Sequence, residues 1–252
     1  MSSAAHKVAV VIPCHNEAKG ITKVIKGFNR DELLHNGFEL DIIVVDNNST
    51  DNTAKVAKKA GARVITEKRK GKGNAMRTGF KSVSDDSDYV IMLDGDDTYS
   101  PREAMRLLEP LHSEFCDVII GSRLGGKMND GAMTLFNRTG NWVFSHLVRY
   151  CYRANVTDVL TGYFAWKKQV IEELTPHLES QGFAIEMEMI TKMARLGHEI
   201  YSVPISYHPR SGESNLRPIY DGWRILKMFV RNLFWKPGTI MANEEEVEVE
   251  AA

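Results

Sequence analysis

At 252 residues, with 43% hydrophobic and 26% charged side chains, the chain has the make-up of a soluble globular protein: one large α/β domain, or one domain with a small appendage. The formal net charge of −1 hides an acidic end, because the residues after Trp235 carry five Glu (Glu244, Glu245, Glu246, Glu248, Glu250) and one Lys (Lys236); removing their −4 leaves about +3 on residues 1–235. That balance is too weakly basic for a nucleic-acid binder and points to local phosphate sites instead.

Three scattered cysteines (Cys14, Cys116, Cys151) fit a reducing cytosol and argue against structural zinc. The short polar stretch 1–7 reads as no signal peptide, and no window nears the ~20 apolar residues of a bilayer span. A soluble or peripheral protein is expected.

Residues 7–13 (KVAVVIP) form an apolar, β-branched run ended by Pro, the expected first core strand. Cys14-His15-Asn16-Glu17 follows as a loop, and Ile21, Val24, Ile25 and Phe28 recur at helical spacing. Residues 40–46 (LDIIVVD) are the next strand, 53–60 a helix after a capping turn, and 62–66 (ARVIT) a third strand. This alternation predicts a parallel sheet with right-handed crossovers. Asp46, at a strand tip, stands where doubly wound folds commonly meet a ribose or base, although Asp also simply caps turns.

Residues 67–79 (EKRKGKGNAMRTG) join basic side chains and glycines to a helix start, an arrangement that suits an anion. Gly73 stands where a Walker A loop needs Ser or Thr after Gly71-Lys72, and Met76 takes the last Gly position of Gly-x-Gly-x-x-Gly. A solvated basic turn explains the stretch equally well.

In residues 90–101 (VIMLDGDDTYSP) a buried strand runs into Asp94, Asp96 and Asp97. Three carboxylates at a strand's C-terminal end need a counter-charge, and a hard cation such as Mg²⁺ or Mn²⁺ holding a diphosphate supplies one. A calcium loop opened by Asp94 fails, since Met105 occupies the twelfth position and no Gly the sixth.

A helix is expected over 101–111, a buried strand over 117–122, a mobile Gly-rich loop over 124–132 and a long helix over 133–153 carrying Trp142, Phe144, Arg138, Arg149 and Arg153. Residues 158–166 read as a strand or turn, followed by a helix to Pro176, a helix from 182 to about 197 and a strand over 199–207. The polar loop 208–216 has the Arg and hydroxyls that suit a phosphate. Residues 221–236 (DGWRILKMFVRNLFWK) form a basic amphipathic helix that fits a lipid headgroup boundary or packs on the domain, and 237–252 a disordered acidic tail.

Four motifs in one order resemble the nucleotide-sugar half of the inverting family-two glycosyltransferases, which share the GT-A fold. They are Val11-Ile12-Pro13-Cys14-His15-Asn16-Glu17, Val44-Val45-Asp46-Asn47-Asn48-Ser49-Thr50-Asp51, Gly71-Lys72-Gly73-Asn74-Ala75 and Leu93-Asp94-Gly95-Asp96. Gly121-Ser122-Arg123, Asn137-Arg138-Thr139-Gly140-Asn141, Asp158 with Thr161-Gly162-Tyr163, and Arg210-Ser211-Gly212-Glu213-Ser214-Asn215 are similar to the polyprenyl-phosphate (dolichyl-phosphate) glycosyltransferases, most of all to archaeal-type dolichyl-phosphate hexosyltransferases of N-glycan assembly. Dolichyl-phosphate mannose synthases usually carry Asp-Ala-Asp-Leu-Gln where this chain has Asp94-Gly95-Asp96-Asp97-Thr98, and the Gln-x-x-Arg-Trp of processive synthases is missing.

The resemblance implies a three-layer α/β/α, Rossmann-like GT-A domain with a mostly parallel central sheet. It would span residues 1–236, divided into a nucleotide-sugar half (7–100), an acceptor half (101–216) and a membrane-surface helix (217–236). The implied reaction is metal-dependent, inverting transfer of a hexose from a nucleotide-diphosphate sugar to polyprenyl or dolichyl phosphate. UDP-glucose or UDP-N-acetylglucosamine is favoured as donor, with GDP-mannose as the alternative.

By the same resemblance Pro13, Asn16, Glu17, Asp46, Lys72, Asp94, Gly95 and Asp96 would hold the nucleotide sugar, and Asp94 and Asp96 the Mg²⁺ or Mn²⁺. Arg123, Arg138, Arg210 and Ser214 would take the acceptor phosphate, and Asp158 would orient sugar or acceptor; Asp96, Arg123, Arg138, Asp158 and Arg210 form the expected catalytic set. The expected location is the cytosolic membrane face, with a membrane partner or a second copy of the chain as further partners the resemblance allows and no nucleic acid among them. A soluble or glycan acceptor, or a non-catalytic sugar-nucleotide module, are the competing readings.

Overall fold

The computed structural model describes residues 5–210 and 216–238. In chain order its elements are β1 (His6–Cys14), α1 (Ile21–Gly27), α2 (Arg30–His35), β2 (Phe38–Asp46), α3 (Thr53–Lys59), β3 (Arg63–Thr66), α4 (Lys72–Lys81), β4 (Tyr89–Leu93), α5 (Ala104–His112), β5 (Val118–Met128), α6 (Leu135–Tyr152), β6 (Tyr163–Lys167), α7 (Lys168–Leu174), α8 (Ile185–Leu196), β7 (Ile200–Tyr207) and α9 (Pro218–Leu233). Short 3₁₀ turns at Pro101–Glu103 and Thr175–His177 lead into α5 and out of α7.

The strands form one seven-stranded sheet in the order β3-β2-β1-β4-β6-β5-β7. Pairing is parallel throughout β3-β2-β1-β4 and between β5 and β7, and antiparallel on both sides of β6. The alternation of side chains along each strand builds two cores. Val8, Val10 and Ile12 pack with α1 and α5 on one face, while Ala9 and Val11 pack with α4, α7 and α8 on the other. The result is a mostly parallel three-layer α/β/α domain. Strand order reverses at β1, which has β2 on one side and β4 on the other. A crevice opens beyond the carboxyl ends of β1 and β4, the place where such sheets bind ligands.

Three stretches differ from expectation. Residues 124–128, expected within a mobile loop, continue β5 and pair with β7 through Lys127–Ser206 and Met128–Tyr207. Gly126 makes this approach feasible, because a Cβ there would overlap the Ile205 carbonyl. Helix α2 was not legible, being a single short turn-and-a-half capped by the Asn29 side chain on Glu32 N. The last helix begins at Pro218 rather than 221 and ends at Leu233, Pro at its first position being preorganised for a helix start. The acidic tail beyond residue 238, and Ser214, lie outside the described residues.

Candidate active site

The crevice is lined by the end of β1 (Pro13, Cys14) and the loop after it (His15, Glu17), by Asn47, by the start of α4 (Gly71, Lys72, Ala75), by Asp94, Gly95 and Asp96 after β4, and by Gly182, Phe183 and Arg210. Of the residues expected to hold a nucleotide sugar, Pro13, Glu17, Lys72, Asp94, Gly95 and Asp96 therefore share one cleft.

Lys72 is its best-defined cation. Nζ lies 2.6 Å from Asp94 Oδ1 and 2.6 Å from Glu186 Oε1, with little of the side chain exposed. Burial pulls its pKa down, but the two carboxylates outweigh that and hold it above its ordinary value. The second cation, Arg210, pairs with Glu17 and stands 3.3 Å from Asp96 Oδ2. Asp96 also accepts hydrogen bonds from Thr98 N (3.1 Å) and Thr98 Oγ1 (2.6 Å).

Six ionic groups, the cations Lys72 and Arg210 and the carboxylates Glu17, Asp94, Asp96 and Glu186, are thus paired in and beside one crevice. Burial raises the Glu17 carboxyl to about 7; Arg210 opposes that rise while Asp96 adds to it. Burial and the neighbouring Asp94 likewise raise Asp96. The cluster is short of positive charge for the carboxylates it holds. Among the described residues no three acidic, His or Cys side chains are grouped to cage a metal by themselves. Two hard carboxylates facing a cleft instead suit a Mg²⁺- or Mn²⁺-type ion whose remaining ligands come from phosphate oxygens and water. Asp94 and Asp96 fit that group.

The loops are fixed by Asn47, a side chain that the sequence did not single out, and by Asn16, which it did. Asn47 donates from its backbone to Cys14 O (2.8 Å) and from Nδ2 to Glu67 O (3.1 Å) and Arg69 O (2.7 Å), and its Oδ1 accepts from Gly71 N (2.7 Å). It ties the ends of β1 and β2 to the basic loop. Asn16, in a left-handed conformation, receives Thr50 N on Oδ1 at 2.8 Å, so its side chain joins two turns. Asp46 is buried, with Oδ1 lacking a hydrogen-bond partner, an acceptor that a hydroxylated ligand would satisfy. The amides expected to cradle an anion at the start of α4 are partly occupied: Gly71 N by Asn47, and Asn74 N by Gln181 O (3.3 Å).

Arg123 and Asp158, expected at acceptor and sugar, are not brought to this cleft. They form a buried two-point pair (Nε–Oδ2 2.8 Å, NH2–Oδ1 2.8 Å). Arg123 also donates to Leu160 O (2.6 Å) and lies 5.2 Å over the Tyr207 ring, and Asn141 Nδ2 completes the Asp158 shell. Pairing with Arg123 holds the Asp158 carboxyl below its usual range although burial opposes it. Arg138 is exposed on the first turn of α6.

Residues 9–175 match the family described as Glycosyl transferase family 2. The chain is 39% identical over 219 residues to glycosyltransferase AglJ of Haloferax volcanii, covering 85% of this chain and 68% of that one. It is 34% identical over 245 residues to the low-salt glycan biosynthesis hexosyltransferase Agl6 of the same organism, covering 94% of this chain but only 57% of the relative. It is 31% identical over 226 residues to that organism's dolichyl-phosphate hexose transferase, covering 89% and 92%. Among solved structures, glucosyl-3-phosphoglycerate synthase of Mycobacterium tuberculosis, in complex with Mn²⁺, UDP and phosphoglyceric acid, superposes with a TM-score of 0.70 at 22% identity, covering 93% of this chain and 80% of that one. At that identity the likeness establishes the fold, a GT-A fold.

Proposed function

The chain belongs to glycosyl transferase family 2 and is a glycosyltransferase, and from that premise we propose that it moves a hexose from a nucleotide-diphosphate sugar to a polyprenyl or dolichyl phosphate. The observation that carries the reading is the gathering of Lys72, Arg210, Asp94 and Asp96 in one crevice at the switch point of the sheet. The naming of one relative as a dolichyl-phosphate hexose transferase supports the acceptor class.

In this reading Pro13, Asn16, Glu17 and Asp46 shape the nucleoside end, with the unsatisfied Asp46 Oδ1 taking a ribose hydroxyl. Asp94 and Asp96 hold a divalent cation, which supplies Lewis-acid stabilisation of the departing diphosphate. Lys72 adds a fixed positive charge beside Asp94, where charge develops as the leaving group departs. The acceptor phosphate is already ionised at neutral pH, so no strong general base is needed. One of its oxygens bonds to the anomeric carbon as the bond to the nucleoside diphosphate breaks, and in-line attack inverts that carbon. Arg210 would meet the acceptor phosphate by exchanging its contacts with Glu17 and Asp96. Arg138 and Ser214 are proposed to assist it, whereas Arg123 and Asp158 act by holding the 158–162 turn.

The lipid would approach along α6 and α9, which pack together through Tyr152 and Phe229 (Tyr152 Oη to Phe229 O, 2.6 Å). Leu135, Phe136, Trp142, Tyr150, Ile219, Trp223 and Phe234 are exposed beside Arg138, Arg149, Arg224 and Lys227. Aromatic and basic residues so mixed suit a headgroup boundary on the cytosolic membrane face. No helix among the described residues is long and apolar enough to cross a membrane.

The donor is proposed to be UDP-glucose or UDP-N-acetylglucosamine, with GDP-mannose as the alternative. The test offers each donor with Mn²⁺ or Mg²⁺ and measures release of nucleoside diphosphate with polyprenyl phosphate or a soluble phosphomonoester as acceptor. Release that depends on polyprenyl phosphate supports the reading; release only with the soluble acceptor overturns the acceptor assignment.

A further inference from the structure

We infer that Glu188 is a positioning residue for Lys72, acting through the 178–182 segment and never touching substrate; the inference deepens the transferase reading and rests on it for its functional consequence. Glu188 and Lys192, one turn apart on α8, are both fully buried and pair at 2.7 Å. They lie outside the crevice. Replacing such a pair by apolar residues is often neutral or stabilising, so stability alone does not account for it.

Its contacts show what it organises. The Glu188 carboxylate accepts Glu179 N (3.0 Å) and Ser180 N (2.7 Å), and Lys192 Nζ donates to His177 O. Both charges therefore grip the backbone between α7 and α8. With both oxygens so engaged, Glu188 is not placed to act as a base.

That segment is the surface on which α4 begins. Gln181 O accepts from Asn74 N (3.3 Å), and Leu178 O accepts from Arg77 NH1 (3.0 Å). A Cβ at Gly73 would overlap Ser180 O, and one at Gly71, which has a φ of +126°, would overlap Gln181 O. There is no slack on this side of Lys72, which sits between the two glycines. On the other side Asn47 Oδ1 holds Gly71 N at 2.7 Å. Helix α8 thus reaches Lys72 twice: directly through Glu186 at 2.6 Å, and through the backbone that Glu188 pins two residues later. If the segment shifts, Lys72 moves relative to Asp94, and a misplacement of about 1 Å in such a group costs on the order of 10²-fold in rate.

The test is the double variant Glu188→Gln/Lys192→Met, which removes both charges together, because Glu188→Gln alone leaves the buried Lys192 cation with only the more distant Glu179 carboxylate, at 3.6 Å, as its ionic partner. Amide hydrogen exchange is compared with the wild type, alongside titration with UDP and with GDP in the presence of Mn²⁺. The expected result is at least tenfold faster exchange in both 178–183 and 71–76, unchanged exchange in β1 and β2, and at least tenfold weaker binding of the nucleotide that the wild type binds. In turnover, the KM for the donor should rise while that for the acceptor stays. Faster exchange confined to 178–183, with 71–76 and nucleotide binding as in the wild type, would overturn the inference, as would no change at all. If the wild type binds neither nucleotide the transferase reading fails, and the exchange comparison still decides the link between Glu188 and Lys72. Should the double variant not fold, Gly73→Ala presses on the same contact from the α4 side and should produce the same exchange signature; unchanged exchange there would equally contradict the inference.

Discussion

Lys72 and Asp94 meet at 2.6 Å across the mouth of the crevice, joining the start of α4 to the end of β4. The lysine thereby brings a permanent positive charge to the carboxylate proposed to hold the cation. Lys72→Met should lower kcat by roughly 10²–10³-fold, the usual cost of removing one group that stabilises a leaving charge. Steady-state kinetics at saturating donor checks this, with a thermal melt to show that the protein is folded. A rate within threefold of wild type would remove Lys72 from the reaction.

Arg123 and Asp158 make a different prediction. Because their pair is buried and two-pointed, Asp158→Ala strands the Arg123 guanidinium and should destabilise the fold by about 3–5 kcal/mol. Urea unfolding measures it. A small stability loss with a large loss in acceptor affinity would return both residues to the acceptor site.

Glu67 sets a pH dependence. The Arg69 guanidinium, and behind it the Thr78 hydroxyl, hold its carboxyl at about 2 although burial opposes them. A carboxyl lowered in the folded state stabilises it above the unfolded value of roughly 4.3; that contribution fades as pH falls through the folded value. Glu67→Gln should therefore cost about 1.5–3 kcal/mol at pH 7, the worth of hydrogen bonds to a charged group. The difference from wild type should shrink between about pH 4 and pH 2. Chemical denaturation across that range reads it, and a pH-independent difference would contradict the assignment.

The exposed aromatic residues of α9, with Phe234 that caps it, carry the membrane proposal. Trp223→Ser/Phe234→Ser should weaken co-sedimentation with anionic phospholipid vesicles at least tenfold and leave the melting temperature within about 2 °C, since both side chains are largely exposed. Unchanged vesicle binding would assign this face to something other than lipid.

Much of the fold is legible in the sequence because periodicity is a local signal. The apolar runs ending at Pro13, Asp46 and Leu93 become β1, β2 and β4, and the acids that follow β1 and β4 (Glu17, Asp94 and Asp96) reach one crevice through the reversal of strand order at β1. Pairings between distant residues are not written in that way. Lys72 and Glu186 are 114 positions apart, and only the tertiary fold brings the first turns of α4 and α8 within reach of each other. Asn47 looks like an ordinary turn residue until its hydrogen bonds to Cys14, His15, Glu67, Arg69 and Gly71 are followed. Arg123 has the chemistry of a phosphate ligand, and its use inside the protein depends on an Asp 35 positions later. In residues 124–128 the glycines suggest a loop where they instead permit two strands to approach.

Transfer of a hexose to a lipid phosphate would move the sugar's label into the organic phase. Purified protein, polyprenyl phosphate in vesicles and radiolabelled UDP-glucose, UDP-N-acetylglucosamine or GDP-mannose would be incubated with Mn²⁺ or Mg²⁺, with and without chelator. One donor is expected to send its label into the organic phase, chelator to abolish the transfer, and Asp96→Asn to do so as well. Label that remains in the aqueous phase on a soluble acceptor, from a folded protein that turns over its donor, would contradict transfer to the lipid.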